Sequence, residues 1–233
     1  MFLIVFLTGC DPQTLSGVLG SLPASTPLSN EEVVQGLREA LTVGARNAVT
    51  KTAAAGGFNQ DSRIRIPFPQ EAQQVKEWAN QMFMGAKVTA FENTMNQAAE
   101  KAAAEAVPVF VNAITGMTIQ DGFSILRGDS LAATAYLREK TTAELTAKFR
   151  PIVDRAIDEV NLTSLWEPLA TGYNATTLFN GKPQVNADLG AYVTERALGG
   201  LFYYVGVEEK KIRRDPAARV SDILVRVFGS LDR

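Results

Sequence analysis

From residue 29 onward, apolar residues recur at three- and four-residue intervals, the period of a helix with one buried face. Ser29 or Asn30 begins the first such run, with Glu31 and Glu32 in the first turn, where the helix macrodipole favours acids. Val33, Val34, Leu37, Leu41 and Ala45 carry its apolar face, and it fades by Gly56-Gly57. Residues 58–69 break the pattern. Arg63-Ile64-Arg65-Ile66-Pro67-Phe68-Pro69 alternates polar and apolar, which predicts a minor extended segment near 63–68; its prolines forbid a central strand. Helical spacing resumes from Gln70 to Ala106, in two pieces that part near Gly85. Val75, Trp78, Met82 and Phe83 supply one apolar face, and Phe91, Met95, Ala98, Ala99, Ala102 and Ala106 supply the other.

The second half reads as helices separated by caps. Pro108 restarts a buried segment, Val109 to Met117, and Thr118 caps a short helix that Gly128 ends. Asp129 or Ser130 caps Leu131 to Glu139. Thr141 and Glu144 have capping-box spacing and open another helix, which Pro151 kinks or restarts. Leu162 to Leu178 is a weaker helical stretch, broken by Pro168 and Gly172, and Asn180-Gly181-Lys182-Pro183 is a turn. Ala187 to Arg214 is the longest predicted helix, with Leu189, Tyr192, Val193, Ala197, Leu201, Tyr204, Val205 and Ile212 on one side. Pro216 opens the last helix, apolar at Ile223, Leu224, Val227 and Phe228. The expected fold is all-α: a single multi-helix domain of short helices with one long C-terminal helix, over residues 29–233.

The front of the chain follows another pattern. Phe2 to Leu7 is an unbroken apolar run, followed by Thr8, Gly9 and Cys10, which is the tail of a secretory signal. Leu7-Thr8-Gly9-Cys10 also resembles the lipobox of bacterial lipoproteins. That resemblance implies a diacylglyceryl group on Cys10, cleavage before it and acylation of the new amino terminus. Residues 1–9 are then a signal-peptide remnant. A complete signal carries a basic n-region, and no Lys or Arg precedes Cys10; a true start upstream of Met1 is the expectation that repairs this, and the sequence leaves it open. The apolar run is far below the ~20 residues that span a bilayer. Residues 10–28 form the lipidated tether, rich in Ser, Pro and Gly, with an end-to-end distance of about 20–25 Å. Asp11 resembles the signal that keeps enteric lipoproteins in the inner membrane, a rule that is not universal, so inner and outer membrane both stay open.

Composition narrows the chemistry. The 46% hydrophobic and 21% charged content is that of an ordinary globular body, and a net charge of −2 gives no case for nucleic acid. There is no histidine, and Cys10 is the only cysteine. Ser-His-Asp and Cys-His catalysis, imidazole zinc sites and intramolecular disulfides are therefore absent. No cofactor motif is legible: Gly181-Lys182 lacks the rest of a phosphate loop. Gly128-Asp129-Ser130-Leu131 spells a lipase/esterase signature, but a glycine C-cap followed by an Asp/Ser N-cap accounts for every letter. Asp154 and Asp158 share a helical face, as a Mg²⁺ or Ca²⁺ pair or a solvated surface would.

Two clusters remain. Glu208, Glu209, Lys210, Lys211, Arg213, Arg214 and Arg219 form a charged block across the end of the long helix. It reads either as a contact for anionic lipid or an acidic partner, or as basic residues complementing the helix dipole and pairing with the two glutamates. Trp166, Tyr173, Phe179, Tyr192, Phe202, Tyr203 and Tyr204 read either as plain core or as a pocket for an apolar ligand, with Trp166, Tyr192, Tyr203 and Tyr204 as its lining.

Met95-Asn-Gln-Ala-Ala-Glu100, Met117-Thr-Ile-Gln-Asp-Gly-Phe-Ser-Ile-Leu-Arg-Gly128, Ala132-Ala-Thr-Ala-Tyr-Leu137, Arg196-Ala-Leu-Gly-Gly-Leu-Phe-Tyr203 and Glu208-Glu-Lys-Lys-Ile-Arg-Arg-Asp-Pro-Ala-Ala-Arg219 occur in this order. Together they resemble the bacterial secreted or lipid-anchored proteins grouped as domain of unknown function 4197, over roughly residues 30 to 229. The resemblance implies a helical envelope protein and no known activity, substrate or catalytic residue. The expectation is a lipid-anchored envelope protein facing the periplasm. It is held to the membrane through Cys10 and acts on an envelope protein or lipid without catalysing a reaction. A binder of an apolar or lipid-like ligand is the alternative, and a carboxylate-based or metal-dependent hydrolase the third.

Overall fold

A computed structural model of the chain describes residues 29–69, 85–159 and 188–215, with isolated positions between and after them. The expected signal remnant and tether lie outside the described residues, as do Tyr173, Phe179, Arg219 and most of the helices expected at 162–178 and after Pro216. The elements are α1 (Asn30–Ala53), α2 (Gly85–Ala103), α3 (Ala106–Thr115), α4 (Ile119–Arg127), α5 (Ala132–Glu159) and α6 (Leu189–Arg214). Among the described residues there is no strand and no single helix long and apolar enough to cross a membrane. The protein is a single all-helical domain with a long C-terminal helix.

Local chemistry starts the helices where the letters place them. Ser29 Oγ accepts from the Glu32 N–H (3.1 Å) and Glu32 Oε2 accepts from the Ser29 N–H (2.8 Å), a closed capping box. Thr118 and Asp121 repeat it at α4 (3.1 and 3.0 Å). The Thr118 N–H and hydroxyl hold the Asp121 carboxyl below its ordinary range.

One expected boundary does not exist. α5 runs unbroken through 139–141 and through Pro151, and its 28 residues make it longer than the 26-residue α6. Thr141 is buried, and its hydroxyl donates back to the Leu137 carbonyl (2.6 Å) instead of capping a new helix. Leu137, Thr141, Leu145, Phe149 and Val153 form one continuous buried line. Pro151 and Ala147 are on the exposed side, so the carbonyl that lacks the proline N–H faces water. Nor does Asp129 or Ser130 cap α5 directly. Asp129 Oδ1 accepts from the Leu131 N–H (2.7 Å) in a local turn, and the α5 N-terminus is held from elsewhere. Phe83, expected on an apolar face, is instead almost fully exposed at φ 58°.

α6 is the centre of the packing and touches α1, α2 and α5. It runs antiparallel to α1: Gly44 lies beside Ile212, Asn47 Nδ2 donates to Glu208 Oε2 (2.9 Å), and Lys51 reaches the Tyr204 ring. Phe58, Phe110, Phe149 and Phe202 are fully buried, each contributing about 1.5–3 kcal/mol by leaving water. Phe110 and Phe202 meet edge to face at 5.8 Å. Gly200 exists for close approach, since a Cβ there would stand 2.5 Å from the Phe58 ring.

Candidate functional site

The expected extended segment is only partly there: residues 62–64 form a turn in which the Ile64 and Arg65 N–H groups donate to the Asp61 carbonyl (3.1 and 2.8 Å), and no strand among the described residues pairs with the rest. Ile64, Ile66 and Phe68 are buried, while Arg63, Arg65 and Pro67 between them are exposed. A row of side chains four residues apart on α2, Glu92, Asn96 and Glu100, replaces the missing partner strand. All three are buried. The Asn96 amide accepts from the Ile66 N–H (2.8 Å) and donates to the Ile66 carbonyl (2.9 Å), as a neighbouring peptide group would. Glu100 Oε1 accepts from the N–H groups of Phe58 and Asn59 (3.1 and 3.2 Å). Glu92 takes Arg65 on one oxygen (2.9 Å) and Lys76 on the other (2.7 Å). Tyr192 donates its hydroxyl to the Pro67 carbonyl (3.0 Å).

The segment begins at a second cluster. Arg63 forks onto both oxygens of the buried Asp61 carboxylate (2.9 and 2.8 Å) and also donates to the Tyr204 hydroxyl (2.6 Å). Tyr204 in turn donates to Asp61 Oδ2. The Arg63 hydrogen bonds hold the Asp61 carboxyl far below the usual carboxylate range, against the opposing effect of burial. Burial and the Asp61 charge push Tyr204 up to about 12.

The charged block of α6 divides by helical azimuth. Glu209 is buried and accepts from the Ala133 and Thr134 N–H groups (3.0 and 2.8 Å) and the Thr134 hydroxyl (2.7 Å), at the first turn of α5. Arg213, one turn on, pairs with Glu209 (3.0 Å) and donates to the carbonyls of Ile125 and Leu126 (2.8 and 3.4 Å), at the last turn of α4. One ion pair thus meets the donors of one helix end and the acceptors of another, each with the sign the macrodipole favours. Lys210, Lys211 and Arg214 are on the exposed side.

The candidate pocket residues do not converge. Trp166 packs in a triangle with Phe68 and Phe91, at 5.6 and 6.2 Å between ring centres. Tyr192 and Tyr204 bond the extended segment as above, and Tyr203 is 43% exposed, edge-on to Tyr204. Surface hollows along α5 have other linings, with Tyr136 and Lys140 in one and Leu131 and Arg138 in another. Asp154 is paired with Arg150 (2.6 Å), which also reaches Asp188 (2.8 Å). Among the described residues no three of His, Cys, Asp and Glu converge as metal ligands.

Sequence reasoning grouped Arg213 with its exposed neighbours and passed over Asp61, Glu92, Asn96 and Glu100. Their signal was available: 92, 96 and 100 keep helical spacing directly beside the apolar row 91, 95, 98 and 102.

Fold and sites together define an all-helical single-domain protein whose buried acids and Asn96 hold its own backbone and cations in place. The chain belongs to the family described as protein of unknown function (DUF4197), which matches residues 27–229. No curated protein and no solved structure matches it.

Proposed function

We propose that this chain is a lipid-tethered bacterial envelope protein that works by surface contact rather than by catalysis. In this reading Cys10 carries the lipid, residues 10–28 are the tether, and the helical body faces the periplasm. The observation that carries the non-catalytic part is the engagement of the buried carboxylates. Asp61, Glu92, Glu100 and Glu209 are each spent on backbone N–H groups or on fixed cations. A general acid or base needs a lone pair or proton facing substrate. The sole cysteine, placed after an apolar run and before a Ser/Pro/Gly-rich stretch, supports the tether.

The test is Cys10→Ser in the bacterium. It is expected to abolish acyl labelling of the protein and to move it from the membrane to the soluble fraction. Unchanged labelling and membrane retention in the variant would sink the anchor.

A further inference from the structure

The end of α6 sorts its charges by side. Glu209 and Arg213 turn inward and close on each other, and Glu208 accepts from Asn47 on α1. Lys210, Lys211 and Arg214 are left exposed, with no hydrogen bond or ion pair among the described residues. Successive residues turn about 100° around a helix, so these three side chains fan over one arc of about 100°. Arg127 borders the arc: it is exposed and follows Ile125 and Leu126, whose carbonyls Arg213 holds. Acids on the adjoining elements include Asp215, at the α6 C-cap, Asp129, whose carboxylate accepts from the Leu131 N–H, and Glu39 on α1.

The arc lies close to the start of the body. Gly44 stands beside Ile212, so the antiparallel pairing puts Arg214 near the middle of α1. At 1.5 Å per residue that is about 18 Å along the axis from Ser29. The tether expected over residues 10–28, with an end-to-end distance of about 20–25 Å, would be long enough to span this separation.

We infer that Lys210, Lys211 and Arg214 seat the helical body on the anionic headgroups of the bilayer that holds its tether. The inference rests on the anchor reading of Cys10. A contact of this kind is weak in free solution and falls off within a Debye length of about 8 Å at physiological salt. Tethering makes it intramolecular, at an effective concentration on the order of millimolar, so a weak contact suffices to orient the body.

The experiment uses full-length chain carrying Cys10→Ser, so that no lipid contributes. It is co-sedimented in low salt with vesicles of phosphatidylcholine alone or with added phosphatidylglycerol. Binding is expected only to the anionic vesicles, and it weakens as salt rises. Neutralising all three cations to Gln is expected to reduce the affinity about a hundredfold, from about fivefold for each cation near an anionic surface. Neutralising Lys101, Lys148 and Arg155, which are exposed elsewhere, changes net charge equally and is expected to leave most of the binding. No binding of the parent chain, or equal losses in the two triple variants, would overturn the inference. Circular dichroism confirms that each variant is folded. Acyl labelling of Cys10 in cells is a separate measurement, so failure of the seat and failure of the anchor are distinguishable.

Discussion

Between residues 58 and 66 the backbone groups that the local turns leave over are met by a row of side chains on α2, whereas at the corner between α4 and α5 free helix ends are met by one ion pair on α6. The difference follows the polarity of the backbone in each place. An extended residue such as Ile66 presents an N–H and a carbonyl together, and the neutral amide of Asn96 offers one acceptor and one donor to match. Helix ends separate the two kinds of group. The first turn of α5 presents only N–H groups, and the last turn of α4 only carbonyls. A carboxylate and a guanidinium four residues apart then satisfy both, and each macrodipole adds to the attraction. At the corner the two charges therefore each meet a helix end of opposite polarity, while at Ile66 a neutral amide matches a donor and an acceptor on one residue.

The largest effect is expected at the corner. Glu209→Ala leaves Arg213 without its carboxylate at a site where its side chain is only 15% exposed, which costs about 3–5 kcal/mol of unfolding free energy. Glu209→Gln tests the charge alone: denaturant midpoints equal to the parent would break the distinction between the two regions. Asn96→Ala strands the Ile66 N–H and carbonyl in the core and is expected to cost about 2–4 kcal/mol. Hydrogen exchange sharpens the contrast. Asn96→Ala exposes the Ile66 amide while Ala133 and Thr134 stay protected, and Glu209→Ala does the reverse. Loss of protection at both places in both variants would mean the two regions open as one unit.

The same contrast explains what was legible in the sequence. Period and capping letters read α1 and α4 closely, because those signals act within a few residues: Ser29 with Glu32, Thr118 with Asp121. The alternation at 63–68 gave the right sides for Ile64, Ile66 and Phe68, since burial alternates whether or not a strand pairs beside it. The break at Thr141 was misread because a hydroxyl bonded to its own helix carries the same letters as a cap. The partners of Asn96 and Glu209 were not legible. Asn96 meets Ile66 thirty residues away, and Glu209 meets Thr134 across seventy-five, so spacing on their own helices says nothing about what they hold.

Acid and base probe the far end of the extended segment. Asp61 is held well below the range of an unfolded Asp, near 3.9. Its contribution is fully present above that value and is lost as pH falls toward its folded pKa. Asp61→Asn is expected to cost about 1–3 kcal/mol at neutral pH, and its deficit is expected to shrink below about pH 4. Tyr204 has the opposite sign. Its neutral hydroxyl donates to Asp61, so its contribution holds below about 10 and disappears as pH rises through its folded value of about 12. A spectrophotometric titration of the five tyrosines checks this: one is expected to ionise last, near pH 12, and Tyr204→Phe removes that step. An unchanged titration in Tyr204→Phe would detach Tyr204 from Asp61.

The smallest effects separate the two regions by how tightly each is seated on α6. A Cβ at Gly200 would stand 2.5 Å from the Phe58 ring, which is fully buried in the turn that follows α1 and has nowhere to move. Gly200→Ala is expected to cost about 1–3 kcal/mol by overpacking. A Cβ at Gly206 would meet Leu131 Cδ2 at 2.8 Å, but Leu131 is 38% exposed at the corner and swings aside, so Gly206→Ala is expected to cost less. Gly199 has nothing within 4 Å of a built Cβ, on the exposed side of the same helix. Gly199→Ala therefore reports helix propensity alone and is expected to stabilise by about 0.5–1 kcal/mol. Thermal melting ranks the three. If Gly200→Ala costs no more than Gly206→Ala, the turn that holds Phe58 has slack, and the polar row of α2 rather than packing on α6 is what fixes it.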